Sequence, residues 1–287
     1  MVKIKTPAST SNLGVGFDTL GLAFNLYNTF EINESDSFHL EGVEDKYNND
    51  DNLFLKAYRM GSGYFGTTKP ISVTFNTEVP ISRGLGSSST FIVGGLAAAC
   101  YMNTKTINKE AIFQIAARME GHPDNVAPCI FGGLNASSKL DNSFITESLE
   151  LSKDFKFTCF IPNYEVSTEE ARSALPSSYS KEVTINNTSK AILLVKALAK
   201  GDLELLKSVA RDEIHEPYRK PLIKEFDEVE SIIKENNDGV FLISGSGSTC
   251  LFIHLDELKD LSKLNSLTYD WQVKSVKPAL DGVIIEK

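Results

Sequence analysis

The chain has 287 residues, 41% of them hydrophobic and 23% charged, which is the make-up of an ordinary globular protein able to bury one large core or two small ones. A formal net charge of −9 leaves no basic surplus to neutralise a phosphate backbone, which argues against broad nucleic-acid binding. The longest apolar stretch, around residues 91–101, is too short to cross a bilayer, so no membrane partner is expected. Residues 1–5 run straight into a strand-like alternation with no signal-peptide pattern. In chain order, residues 2–5 read as a strand ending at Pro7, and the glycine-rich run 7–21 as a loop. Residues 22–32 return as a strand with Phe24, Leu26 and Phe30 on one face. The polar stretch 33–52 reads as strand ends and exposed loop, and 52–64 as a helix with Leu53, Ala57 and Met60 roughly on one side. Residues 71–79 alternate β-branched and aromatic residues against polar ones, a strand. It runs into Pro80, Ile81, Ser82, Arg83, Gly84, Leu85, Gly86, Ser87, Ser88, Ser89 and Thr90, behind which the small, apolar segment 91–102 reads as a buried helix.

Asn108 is placed to cap a helix over 109–120, stopped by Gly121 and Pro123. A short helix over 125–131 and a strand starting at Gly132 follow. The polar stretch 139–154 suggests a boundary, dividing the chain into 1–150 and 151–287. Beyond it, 155–161 reads as a strand, and Ser167 or Thr168 caps a helix with Glu169 and Glu170 in its first turn. Residues 187–200, 202–209 and 221–234 read as amphipathic helices, 239–243 and 250–254 as strands, 257–264 as helix, and 272–277 as the last strand. Strands and helices mix without a regular βαβ alternation, so the expected class is α+β. Cys100, Cys129, Cys159 and Cys250 lie far apart with no Cys-x-x-Cys pair. They read as buried thiols in a reducing cytoplasm, not as a metal site or disulfide frame.

The chemistry centres on residues 80–90. Between strand and helix, residues 84–90 hold two glycines, three serines and a threonine. Glycine lets backbone approach a ligand closely, and a helix N-terminus with free N–H groups favours an anion. The stretch therefore suits a phosphate cradle, although no Gly-Lys-Ser/Thr follows as in a P-loop. Taken alone it fits equally well an ordinary junction whose serines cap the helix. Two further blocks, residues 7–21 and 243–249, turn the balance. In this order and at these separations, the three blocks resemble those of the GHMP kinases, which act on galactose, homoserine, mevalonate and phosphomevalonate. The homoserine branch is the more similar, through the run Asn12-Leu13-Gly14-Val15-Gly16-Phe17-Asp18, the run His122-Pro123-Asp124-Asn125-Val126-Ala127-Pro128 and the run His215-Glu216-Pro217-Tyr218-Arg219. These blocks span most of the chain.

The resemblance implies a two-lobed fold, with an N-terminal lobe like ribosomal-protein S5 domain 2 that binds ATP and a ferredoxin-like C-terminal lobe. It also implies ATP-dependent phosphorylation of the L-homoserine hydroxyl to O-phospho-L-homoserine, in threonine biosynthesis. Residues 80–90 would bind ATP. Mg2+ would be held by a loop serine, Ser88 with Ser87 as the neighbouring option, and by Glu120, since magnesium takes oxygen ligands and keeps several waters. A zwitterionic substrate needs a carboxylate for its ammonium and a guanidinium fork for its carboxylate. Asp18 with Asn12 would serve the first, and Arg172 and Arg219 the second. Outside that resemblance, Glu120 reads as a solvated helix-end carboxylate and each arginine as half of a surface ion pair. Asn125 stands where other branches place an aspartate base, which implies catalysis by positioning and electrostatics, with Asn125 orienting the acceptor. His122 and His215 read as loop-fixing hydrogen-bond donors, and Asp124 is a weaker candidate for a base. The block 244–249 is expected to pack on the phosphate loop. A different small-molecule GHMP kinase, or a non-catalytic nucleotide-binding relative, are the competing readings. Self-association as a homodimer is left open.

Overall fold

The computed structural model describes residues 1–286. Eleven strands form two sheets among the described residues. Strands β1 (Val2–Asn12), β2 (Gly16–Glu34), β3 (His39–Glu41), β4 (Ile71–Thr77), β5 (Leu134–Lys139), β6 (Phe144–Leu149) and β11 (Ile284–Glu286) make the first. Its path runs β11-β1-β2-β4-β3, with β5 joining β2 and β6 joining β5. Strands β7 (Lys156–Pro162), β8 (Gly239–Ile243), β9 (Cys250–His254) and β10 (Trp271–Val276) make an antiparallel sheet in the order β10-β7-β9-β8.

Helices α1 (Leu53–Phe65), α2 (Ser87–Thr104), α3 (Lys109–Glu120) and α4 (Val126–Phe131) cover the first sheet, burying Phe54, Tyr58, Val93, Leu96, Phe113 and Ile130 against Ile4, Phe30 and Val73. Removal of this apolar surface from water is the main force holding the layers together. On α1 the buried face is Phe54, Ala57, Tyr58 and Gly61, at helical spacing. Leu53 and Met60, expected on that side, are 41% and 53% exposed. Two-sided burial explains the nearly continuous apolar runs of β7, β8 and β9. Phe157, Cys159 and Ile161 of β7 join α6 (Lys181–Lys200) and α7 (Leu203–Val209) in one core, while Phe160 points the other way against α9 (Phe226–Asn236). Strand residues alternate faces, so both sets must be apolar.

Several boundaries differ from the expectations for physical reasons. β1 does not end at Pro7: the ladder shifts register between Pro7 and Ala8, opposite Tyr27 and Phe24, and the strand continues to Asn12. A bulge at a residue lacking an N–H is the usual way to keep such a strand paired. That shift also swaps faces, so Phe24 and Leu26 join the core shared with β7 while Phe30 stays beneath α2. The polar stretch 139–154 contains β6, and residues 257–264 form no α-helix, only a 3-10 turn at Ser262–Ser266. α6 starts at Lys181, capped by Ser180, and Ser167 rather than Thr168 caps α5 (Thr168–Ser173). The four-residue helix α8 (Glu216–Arg219) and the closing strand β11 carried no periodic signal.

Candidate active site

The three blocks meet at one place because each contains a turn between elements already fixed by the cores; the first, expected as a loop over 7–21, is strand except for residues 13–15. The first closes β1 onto β2, with Asn12, Leu13 and Gly14 at φ 72°, 48° and 77° and Asp18 at 53°. The second joins β4 to α2. The third is the turn between β8 and β9, and it packs on the second as expected. Ser244 Oγ donates to Gly84 O at 2.6 Å, Thr249 N to Arg83 O at 3.1 Å and Gly245 N to Ser11 O at 3.3 Å. Gly84 is required there, since at its φ of 72° a Cβ would lie 2.1 Å from Ser244 O. Gly86, the αL residue preceding α2, faces Ser9: a Cβ there would lie 2.2 Å from Ser9 Oγ.

These turns line a cavity of about 620 Å³. Of residues 80–90, Ile81, Ser82, Arg83, Gly84, Gly86, Ser87 and Ser88 line it, whereas Pro80, Leu85, Ser89 and Thr90 do not. Thr90 is buried and bonds within the fold, accepting from Asn28 Nδ2 at 2.7 Å and donating to Ser87 O at 2.6 Å. Ser87 is 7% exposed, and its hydroxyl has no partner. Ser88 Oγ donates to Glu120 Oε2 at 2.9 Å and Ser89 Oγ to Glu120 Oε1 at 3.2 Å, so the structure brings Ser88 and Glu120 together. Burial raises the Glu120 carboxyl above its ordinary value, against the pull of His122 and the two serines.

Also lining the cavity, Asp18 and Arg172 form a two-pronged ion pair, at 2.8 and 3.1 Å. Asn12 accepts from Asp18 N at 3.1 Å and donates to Gly245 O at 2.9 Å. Arg219 is 2% exposed, and it donates to the carbonyls of Ala171 at 3.3 Å and Gly245 at 3.0 Å. Among the described residues no carboxylate lies in ion-pair range of it. Burial, with the neighbouring Arg172 charge, lowers its pKa from the usual arginine value. His122 Nδ1 stands 2.6 Å from Asp124 Oδ1, which also accepts from Asn125 N at 2.9 Å. Burial alone would raise the Asp124 carboxyl; the His122 contacts outweigh it and bring it below its ordinary value. Asn125 is tied at both ends, its Nδ2 donating to Ser11 Oγ and its Oδ1 accepting from Ser9 Oγ, each at 2.9 Å. The ligand atoms of Asp18, His122 and Asp124 also lie within 4.8 Å of one another. In the free protein these ligand atoms are already partnered, Asp18 by Arg172 and Asp124 by His122 and the Asn125 N–H.

The cavity has a second end that the sequence reading did not assign. Tyr47, Asn49, Asn52 and Leu53, from the loop before α1 and its first turn, line it together with Thr77 and Phe91. These residues come from a stretch with no motif, and only the pairing of β3 with β4 brings that loop here. Thr168 also lines the cavity, 3.4 Å from Ser246 Oγ.

The family of GHMP kinases N terminal domain matches residues 52–133, and that of GHMP kinases C terminal matches residues 194–277. The chain belongs to the GHMP kinases. Homoserine kinase from Clostridium botulinum (strain 657 / Type Ba4) is 37% identical over 99% of this chain and 98% of its own length. Homoserine kinase from Clostridium kluyveri is 38% identical over 100% and 99%. Among solved structures, a putative homoserine kinase from Listeria monocytogenes matches with TM-score 0.82 at 26% identity, covering 100% of both chains. Homoserine kinase from Cytophaga hutchinsonii shares the fold with TM-score 0.88 at 23% identity, covering 99% of this chain and 97% of its own. As a GHMP kinase the chain is a phosphotransferase, and the cavity where the three blocks converge is its candidate active site.

Proposed function

We propose that this GHMP kinase transfers the γ-phosphoryl group of ATP to the hydroxyl of L-homoserine, giving O-phospho-L-homoserine for threonine biosynthesis. The observation that carries the substrate assignment is Arg219. A buried guanidinium facing a cavity, without a carboxylate partner among the described residues, is an open site for an anion. Beside it the Asp18–Arg172 pair offers one group of each charge. An amino acid fits that set: its carboxylate bridges Arg219 and Arg172 while its ammonium takes over Asp18, oriented by Asn12. A sugar or mevalonate has no ammonium for Asp18.

The loop from Ile81 to Ser88 takes the triphosphate on backbone N–H groups at the start of α2. The adenine end is proposed between Tyr47, Leu53 and Phe91. Ser88 and Glu120, already in contact, are oxygen ligands suited to Mg2+. That ion supplies electrostatic stabilisation of charge on the phosphates. Asn125 cannot accept a proton usefully, and Asp124 Oδ1 is doubly engaged. The remaining work of these side chains is therefore positioning: the clamp at Asp18, Arg172 and Arg219 aims the hydroxyl, and Asn125 holds the floor by tying the first block to α4. Residues 1–150 and 151–287 are taken as the two lobes. The four buried, unbridged cysteines support a cytoplasmic setting. ADP release measured with L-homoserine, mevalonate, galactose or no acceptor tests the reading. Turnover is expected with homoserine, and a preference for either other acceptor would overturn it.

A further inference from the structure

His215 belongs to no step above, yet it is fully buried directly behind the carboxylate clamp. Its Nε2 lies 2.9 Å from Gly14 O, and a carbonyl can only accept, so Nε2 carries the ring hydrogen. Its Nδ1 lies 3.5 Å from Arg219 Nη1, and a guanidinium can only donate, so Nδ1 presents its lone pair. Two contacts of opposite sense thus select one tautomer of the neutral ring. The face of the imidazole stacks on Phe17, with centroids 5.3 Å apart and planes 24° apart. The Arg219 guanidinium carbon lies 5.1 Å from the Phe17 ring centre and that of Arg172 5.9 Å from it. Phe17 is therefore in contact range of the histidine and of both guanidinium groups.

We propose that His215, held as the neutral Nε2–H tautomer with Phe17 against its face, is the positioning residue that sets Arg219 for the carboxylate of the substrate. The inference rests on the amino-acid reading of the cavity for its substrate, and on geometry alone for its tautomer. Protonating Nδ1 would set an N–H against the N–H of Arg219 and place two cations side by side in a dry site. The charged groups facing the ring are Asp212 from the turn before α8, at 3.9 Å, Arg219 from α8 itself, and Asp18 from β2. The two carboxylates favour the imidazolium. Burial, the largest influence, and Arg219 oppose it, and the ring stays below the ordinary histidine value of 6.5. The neutral, clamp-competent form is thus complete at neutral pH and is lost only as pH falls through that lowered value.

The test is the KM for homoserine against pH in the natural protein, His215→Leu and His215→Gln, with histidine ring-nitrogen NMR on the natural protein. Leucine removes the acceptor facing Arg219 and should raise the homoserine KM about tenfold or more, with the KM for ATP little changed. Glutamine carries a donor for Gly14 O and an acceptor for Arg219, so it should keep the KM near natural and lose the rise at acid pH attributed to His215. The NMR spectrum should show Nε2–H and an unprotonated Nδ1. An Nδ1–H ring, or a normal homoserine KM in folded His215→Leu, overturns the positioning role while leaving the homoserine reading standing. If the natural protein shows no homoserine-dependent turnover, the substrate reading fails instead, and the tautomer spectrum still decides whether His215 holds Arg219. Should His215→Leu not fold, the glutamine variant decides: an acid limb identical to that of the natural protein overturns the role.

Discussion

Arg219→Leu is the sharpest perturbation of the clamp. Arg219 is 2% exposed and has no carboxylate partner among the described residues, so in the free protein its contacts are the carbonyls of Ala171 and Gly245, the lone pair of His215 Nδ1 and the Phe17 ring. Removing it leaves the bound substrate carboxylate with Arg172 alone and its other side facing leucine, a loss of about 2–5 kcal/mol. That corresponds to a rise in homoserine KM of about 30-fold to 4,000-fold. The triphosphate loop and Glu120 are untouched, so the KM for ATP should change by less than about threefold. Some loss of kcat should accompany it, because a poorly seated substrate misaims its hydroxyl. Folding stability should respond differently. Hydrogen bonds from a charged donor to two carbonyls, about 1.5–3 kcal/mol each, and the longer contact to His215 Nδ1 are lost, but a buried charge without a carboxylate partner among the described residues is removed as well. The two contributions oppose each other, so the Tm of the ligand-free variant should fall far less than the affinity does. Steady-state kinetics with each substrate varied, alongside thermal unfolding, measure both. A homoserine KM within threefold of the natural value in a folded variant would refute the clamp, and a large Tm drop would mark Arg219 as a fold residue.

Asp18→Asn should also raise the homoserine KM steeply, and it should narrow the gap between homoserine and an analogue lacking the amino group. An unchanged preference in side-by-side assays would remove Asp18 from the ammonium. Glu120→Gln should weaken magnesium activation. In the natural protein that activation should fade with falling pH at a value above the ordinary 4.5 of a glutamate, because burial raises the Glu120 carboxyl and its protonated form is a poor ligand. Identical magnesium titrations for the two proteins would leave Glu120 a structural carboxylate. Gly86→Val should abolish nucleotide binding through backbone strain and collision with Ser9 Oγ, which calorimetry with ATP would contradict by showing undiminished affinity in a folded variant. Glu216 is pushed up to about 8 by burial, and it accepts from Ile243 N at 2.8 Å. The unfolded chain releases this proton near 4.5, so the native state is penalised progressively as pH rises from there towards 8. Glu216→Gln should therefore match the natural Tm near pH 4.5 and gain on it towards pH 8; parallel curves would contradict the burial argument.

Local pattern in the sequence was enough for elements whose chemistry is local. The helix Lys109–Glu120 lies where Asn108 and Gly121 place it, and the strands Gly239–Ile243 and Cys250–His254 match their apolar runs. Patterns failed where a distant partner decided the outcome. Nothing near Pro7 says that β1 runs on, because the bulge that rescues it is made with β2. Ile284–Glu286 is a strand only because the edge of β1 is there to pair with it. Leu53 and Met60 looked like a core face because helical spacing cannot say which side meets α2.

The site divides the same way. The three blocks and the residue types they bring, with the glycines, the serines, the carboxylates and the two arginines, are written in the sequence, since a phosphate and a zwitterion make chemical demands that few side chains meet. Which of those side chains are free to act was decided by the tertiary structure. Thr90 is bound into the fold by Asn28, Asn125 is held by two serines, and Asp18 and Arg172 neutralise each other. Arg219, in turn, is left without a carboxylate partner among the described residues. Hydrogen-bond partners and desolvation at the site depend on groups far apart in the chain, 234 positions in the case of Thr10 and Ser244. No local pattern encodes them; only closing the turns of both sheets onto one cavity brings such groups into contact.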